Sequence, residues 1–128
     1  MGSYDWNLNL SQIYMLKLNH KKLIVWQKSI ELVKFVYIIT KSFPRHEQYG
    51  LISQLRRCAV STAANIAEGA SRKSRAESSR YIEIARSSLV ELDTHIEIAI
   101  KIEYLKHQDI KEIENLTNEV FAMLTAMK

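Results

Sequence analysis

The fold is decided by residues 54–77, which read QLRRCAVSTAANIAEGASRKSRAE. Small and apolar residues recur there at steps of three and four, so they share one face of a helix. They are Leu55, Cys58, Ala59, Thr62 and Ile66. Gly69 predicts the end of this helix, because glycine often follows a last helical turn. Ser74, three residues before Glu77, forms a capping-box pattern that predicts the start of the next helix. The sequence therefore predicts two helices joined by a tight hairpin.

A second apolar face of the same helix lies roughly opposite the first by the 3.6-residue period. It consists of Val60, Ala63, Ala64 and Ala67. A helix that is apolar on both sides is usually covered on both sides, and these small side chains let another backbone come close. Two interpretations remain open, a central helix of one core and a subunit interface. A chain this short rarely wraps one helix completely, so we predict that these four residues form an oligomer interface.

The rest of the chain reads as helices with few connections. Three glycines and one proline in 128 residues are too few for a turn-rich β fold. Apolar periodicity predicts helices at about 22–42, 47–69, 75–104 and 109–127. Short turns between them predict an all-α, antiparallel up-down-up-down four-helix bundle spanning residues 21–128. Residues 1–20 lack a clean period, which predicts an N-terminal arm that is extended or disordered.

Charge is distributed unevenly along the chain. Residues 1–44 and 45–86 each carry a net charge of +4, whereas residues 87–128 carry −4. Such asymmetry is typical of a surface that faces a polyanion, and equally of complementary subunits or a protein partner. Cations paired with nearby carboxylates are the third interpretation. The predicted nucleic-acid-binding residues are Arg56, Arg57, Arg72, Lys73, Arg75, Arg80 and Arg86.

No residue pattern indicates catalysis, a metal or a cofactor. No histidine completes the Glu-x-x-His spacing of bundle metal sites, and the Glu91–His95 pair is typical of a structural contact. Cys58 lies on an apolar stripe and is predicted to be a buried structural thiol. The sequence also lacks an apolar run long enough to span a membrane and a signal-peptide pattern. We therefore predict a non-enzymatic, cytoplasmic protein with no bound metal or cofactor.

A set of short motifs, in a fixed order, resembles a known family. The motifs are Leu23–Lys28, Phe43-Pro44, Tyr49–Leu51, Ser53–Arg57, Asn65–Gly69, Ala85–Leu89, Glu91–Thr94 and Glu103–Leu105. They resemble the S23 family, which is encoded by intervening sequences in bacterial 23S ribosomal RNA genes. The match covers about residues 21–127. The family often has a proline shortly before the residue that matches Asn65. This chain departs from that pattern with Ala63-Ala64, so we expect no proline kink at this point.

The resemblance implies a left-handed antiparallel four-helix bundle that assembles into homo-oligomers, with ring-like pentamers as the expected form. A related branch, the accessory subunit of diversity-generating retroelements, binds a reverse transcriptase and nucleic acid through a basic surface. Members encoded by intervening sequences have no established enzymatic activity, and their link to RNA is inferred from where their genes lie. The resemblance says nothing about residues 1–20.

Overall fold

The computed structural model describes residues 15–127. The predicted arm falls largely on residues 1–14, which lie outside the described residues. Four helices follow: α1 (Ile24–Thr40), α2 (Leu51–Ser71), α3 (Arg75–Lys101) and α4 (Lys111–Ala126). Short 3-10 turns lie at Asn19–Lys22, Arg45–Glu47 and His107–Ile110, and residues 15–127 contain no strand. The predicted all-α class is confirmed.

The α2 helix begins and ends later than the sequence suggests. Gly50 precedes it with a non-helical backbone (φ −112°, ψ −114°), and Glu47 Oε1 accepts a hydrogen bond from the Leu51 amide at 3.1 Å. Gly69 does not end α2, which continues to Ser71, so that prediction is wrong. A Cβ at Gly69 would lie 3.1 Å from Ile82 Cδ1 and 3.2 Å from the Ser78 carbonyl oxygen of α3. Glycine at this position therefore lets the two helices pack closely.

The start of α3 is the one predicted. Ser74 is its N-cap, and the Ser74 hydroxyl accepts a hydrogen bond from the Glu77 amide at 3.0 Å. The helix ends at Lys101, three residues earlier than expected, and Glu103 takes a left-handed backbone conformation at φ 69°. Such a residue commonly stops a helix by satisfying its last carbonyl groups.

Each helix packs against two neighbours, so that α1 contacts α2 and α4, and α3 contacts α2 and α4. Contacts between α2 and α3 run in opposite order along the two helices. Arg57 pairs with Glu91, the Ser61 and Ser88 hydroxyls lie 3.0 Å apart, and Gly69 lies against the first turns of α3. These two helices are therefore antiparallel. None of the helices within residues 15–127 is both long and apolar enough to cross a membrane.

The predicted core face of α2 is confirmed. Its five residues, Leu55, Cys58, Ala59, Thr62 and Ile66, are all completely buried. The Thr62 hydroxyl donates to the Cys58 carbonyl oxygen at 2.9 Å, so this buried polar group is satisfied. Burying a leucine or isoleucine side chain contributes about 1.5–3 kcal/mol, and the α2 face joins buried residues from all four helices.

Candidate nucleic-acid interface

The predicted cationic residues fall into separate groups. Four of them lie at the hairpin between α2 and α3 and in the first turns of α3, and we call them the hairpin cations: Arg72, Lys73, Arg75 and Arg80. All four are exposed. Lys73, Arg75 and Arg80 form no ion pair with any residue in the described range. These side chains are thus available at one end of the bundle.

Arg72 differs from the other hairpin cations because it has local partners. It pairs with Glu68 one turn earlier, and its guanidinium lies 5.0 Å from the ring centroid of Tyr81. The hydrogen bond with Glu68 is the main reason that the pKa of Arg72 is raised. The pair is exposed to solvent, where an ion pair of this kind is weak. A phosphate group can therefore replace Glu68 at small cost.

Arg57 and Arg86 are engaged in contacts between helices. Arg57 lies about 22 Å from Arg72 along α2, at 1.5 Å per residue, and pairs with Glu91 of α3. Arg86 faces α4, where its Nε lies 3.2 Å from Thr125 Oγ1 and its guanidinium lies 4.8 Å from the Phe121 ring, and it also pairs with Glu83. The structure therefore does not unite these two arginines with the hairpin cations.

Arg56 faces α1 and not α3. Its Nε donates to Thr40 Oγ1 at 2.9 Å, and its guanidinium lies 4.4 Å from the ring centroid of Tyr37. The side chain is half-buried, and no carboxylate within residues 15–127 pairs with it. Adjacent arginines in the sequence thus have different environments, with Arg57 neutralised and Arg56 held by neutral groups.

A polar cluster that the sequence analysis did not assemble lies between α2 and α3. One ligand-type atom each from Cys58, Glu91 and His95 lies within 4.8 Å of the others. His95 Nε2 is 3.3 Å from Glu91 Oε2, and His95 Nδ1 is buried without a partner in the described residues. The i, i+4 spacing of Glu91 and His95 was visible in the sequence, whereas the approach of Cys58 depends on the register of α2 against α3.

This cluster is better suited to joining two helices than to holding an ion. The Arg57 guanidinium already occupies the Glu91 carboxylate. Burial, together with hydrogen bonding and charge from Glu91, raises the pKa of the Cys58 thiol to about 12. A metal binds the thiolate, so it would have to displace the proton of this thiol. Burial opposes ionisation of Glu91, but hydrogen bonds with His95, Cys58 and Arg57 lower its pKa.

The predicted oligomer face of α2 opens onto a groove with α1. This α1–α2 groove has a volume of about 350 Å³ and is lined by His20, Trp26, Ile30, Val33, Val60, Ala63, Ala64 and Ala67. Ala63 is buried, whereas Ala64 is exposed and Val60 is 44% exposed. All four predicted interface residues therefore line one apolar surface, shared with α1 residues that the sequence analysis did not include.

Comparisons with known proteins agree with this architecture. Residues 21–126 match the model of the 23S rRNA-intervening sequence protein family. The chain is also similar to a crystal structure of a protein of unknown function from the S23 ribosomal protein family of Bacteroides thetaiotaomicron VPI-5482. The two share 26% identity with a TM-score of 0.73, over 81% of this chain and 97% of that one. No curated protein matches the chain. The family match spans most of the sequence, so the chain belongs to the 23S rRNA-intervening sequence protein family.

Proposed function

We propose that this chain is a non-enzymatic, oligomeric four-helix-bundle protein that associates with RNA in the cytoplasm through the hairpin cations. The observation that supports this most strongly is the contrast among the predicted basic residues. Lys73, Arg75 and Arg80 are exposed and lack acidic partners in the described part of the chain, whereas Arg57 and Arg86 are used in contacts between helices.

Binding of this kind acts through phosphate groups. Lysine and arginine release condensed counterions when they contact phosphates, so affinity falls steeply with salt and depends little on base sequence. The hairpin cations lie within a loop and two helical turns, so together they can contact a short stretch of the RNA sugar-phosphate backbone. The Arg72–Glu68 pair can open during binding because it is exposed.

The test is a salt titration of binding to fragments of 23S ribosomal RNA. The variant Arg72→Ala/Lys73→Ala/Arg75→Ala should weaken binding at low salt. The slope of log affinity against log salt should become shallower by about 2 to 3, because each lost phosphate contact contributes 0.7 to 0.9.

A matched control removes three exposed lysines at the α3–α4 connection, Lys101→Ala/Lys106→Ala/Lys111→Ala. It changes the net charge by the same amount as the hairpin variant, at a site about 40 Å from the hairpin along α3 by helical rise. Its slope should stay close to that of the unmodified chain. Equal losses in both variants, or no binding of the unmodified chain at low salt, would contradict the proposal.

The α1–α2 groove supports self-association as part of the same proposal. Its lining is almost entirely apolar and includes side chains left exposed in one subunit, such as Val60 and Ile30. We propose that a second copy covers this groove in a homo-oligomer, and the sequence resemblance implies a pentamer.

An accessory role toward a protein partner is the second candidate. The same groove favours it, since an amphipathic helix of another protein can also lie in such a surface. A pull-down that retrieves a defined protein and survives nuclease treatment would favour this candidate over RNA association.

A further inference from the structure

We propose that a pocket at the connection between α1 and α2 binds the phosphate and base of one nucleotide in a single-stranded nucleic acid. This α1–α2 turn pocket has a volume of about 580 Å³, within the range of small-ligand sites. It is lined by Thr40, Lys41, Phe43, Arg45, Gln48, Tyr49, Ile52, Ser53 and Arg56. The identification of the natural ligand as RNA rests on the proposed function, whereas nucleotide binding in the pocket is argued from the pocket's own residues.

Among the described residues, the charges that line the pocket are all positive. Lys41, Arg45 and Arg56 lie on its wall, and no residue within 15–127 that lines it is acidic. Within residues 15–127, none of these three cations forms an ion pair. The nearby carboxylate of Glu47 is held elsewhere, by the Leu51 amide at 3.1 Å and the Tyr104 hydroxyl at 2.8 Å. An anion entering the pocket therefore meets uncompensated positive charge.

Arg56 is positioned before any ligand arrives. Thr40 Oγ1 accepts from its Nε, and the Tyr37 ring supports the guanidinium plane. An arginine has five N–H donors, and the contacts within residues 15–127 use only the one on Nε. Both terminal nitrogens can therefore donate to two oxygens of one phosphate, which is the preferred geometry of arginine. Arg57 lacks this freedom because its terminal nitrogen is bound to Glu91.

Tyr49 supplies a surface for a base. Its side chain is 92% exposed although it lines the same pocket as Arg56. A tyrosine exposed to this extent contributes little to the core, yet its ring can stack on a nucleobase. Stacking on an aromatic ring beside a cationic groove is how many proteins bind single strands without sequence preference. Charge and ring together therefore favour a nucleotide over a bare anion.

The test uses the full ¹⁵N-labelled chain titrated separately with inorganic phosphate and with uridine 5′-monophosphate. We expect both ligands to shift the Ile52 and Ser53 amides and the Arg56 side-chain Nε–H signal. Arg56→Gln should weaken both ligands by about 10-fold or more, as expected for loss of a charged hydrogen-bond donor. The exposed pair Lys41→Gln/Arg45→Gln should also weaken both, without disturbing packing. Unchanged affinities in these variants would overturn the proposal.

Tyr49 variants distinguish a nucleotide from a bare phosphate. Tyr49→Ala should weaken the nucleotide by about 5-fold or more and leave phosphate unchanged, while Tyr49→Phe should bind both normally. Equal binding of the nucleotide to Tyr49→Ala would overturn the base contact. The adjacent Arg57→Gln is the matched control and should bind both ligands normally.

The hairpin triple variant separates this proposal from the proposed function. It should still bind uridine 5′-monophosphate in the pocket while losing affinity for RNA. If ribosomal RNA fails to bind the unmodified chain but the nucleotide still titrates Arg56, the hairpin surface is refuted and the pocket stands. Loss of nucleotide binding in the hairpin variant would overturn the pocket.

Discussion

The two sides of α2 differ in how completely they are used. Toward α3 the seam is closed: Arg57 pairs with Glu91, and Gly69 lets the two helices approach closely. Toward α1 the seam is open, since Val60 and Ile30 remain 44% and 40% exposed. Both sides are rich in small residues, yet the side toward α1 leaves part of its apolar surface exposed within the subunit.

Small side chains serve two purposes in α2. At the α2–α3 seam they remove bulk so that a neighbouring helix of the same chain fits, as at Gly69. At the α1–α2 groove they leave a shallow apolar surface around Ala64 and Ala67. Polar groups follow the same division, because Arg57 pairs with Glu91 and Arg56 has no acidic partner among the residues that the structure describes. The first seam therefore stabilises the fold, and the second is the groove that we propose a second copy covers.

The largest expected effect concerns the open seam. Ala64→Arg places a charged side chain in the proposed subunit interface, which should weaken association by about 100-fold or more because the charge has no partner when buried. Stability of the single subunit should change by less than about 0.5 kcal/mol, since Ala64 is exposed there. Sedimentation at several protein concentrations measures the mass.

The control for this variant is Ala122→Arg, a similar exposed alanine on α4. It should leave the mass unchanged. An unmodified chain that is monomeric at every concentration would contradict the interface, and so would an oligomer that tolerates Ala64→Arg.

A smaller effect is expected at the closed seam. Gly69→Val adds atoms where even a Cβ would lie 3.1–3.3 Å from α3, and overpacking of this kind costs about 1–3 kcal/mol. Ala70→Val is the control, because it adds a valine at an exposed position of the same turn. Helix propensity alone favours Gly69→Val over Ala70→Val by about 1 kcal/mol, since glycine is a poorer helix former than alanine. Urea unfolding of both variants gives the difference, and a Gly69→Val variant more stable than Ala70→Val by that amount would show that α2 and α3 do not depend on close packing there.

Local patterns in the sequence predict much of this fold. The core face of α2 follows from apolar spacing, and the start of α3 follows from Ser74 and Glu77, because both depend on residues close together in the chain. The wrong prediction at Gly69 has the same cause, because it too depends only on nearby residues. A helix-ending glycine and a close-packing glycine look alike until the neighbouring helix is placed beside them.

The candidate sites depend on contacts between distant residues, so the sequence predicts less of them. Seven cations close together in the chain suggested one surface, but a helix distributes consecutive residues around its axis. Arg56 and Arg57 therefore face α1 and α3 respectively. The pocket around Arg56 also needs Lys41 and Arg45 from the connection before α2. Tyr49 shares a motif with Gly50 and Leu51, yet its exposure is visible only in the structure.

The smallest expected effect is a pH dependence of stability at the connection between α1 and α2. The Leu51 amide and then the Tyr104 hydroxyl hold the Glu47 carboxylate, which lowers the pKa of Glu47 from its ordinary value of 4.5. The same hydrogen bond raises the pKa of Tyr104 from 10.0. The stabilisation that this hydrogen bond contributes is therefore complete between pH 4.5 and pH 10.0. It is lost as pH falls below 4.5 through the lowered pKa, and again as pH rises above 10.0 through the raised one.

Thermal unfolding from about pH 3 to pH 7 tests the acid limb of this dependence. Glu47→Gln should lower the melting temperature near neutral pH. The difference in melting temperature between this variant and the unmodified chain should become smaller as the solution becomes acidic. Tyr104→Phe keeps the ring contact with Phe43, whose centroid lies 5.3 Å away, but removes the hydroxyl that donates to Glu47. In this background, Glu47→Gln should therefore lower the melting temperature by less. Glu114→Gln is the control because this exposed carboxylate forms no ion pair within residues 15–127. If Glu47→Gln and Glu114→Gln have the same melting temperature at every pH, Glu47 does not hold the start of α2. The geometry of the α1–α2 connection would then depend on packing alone.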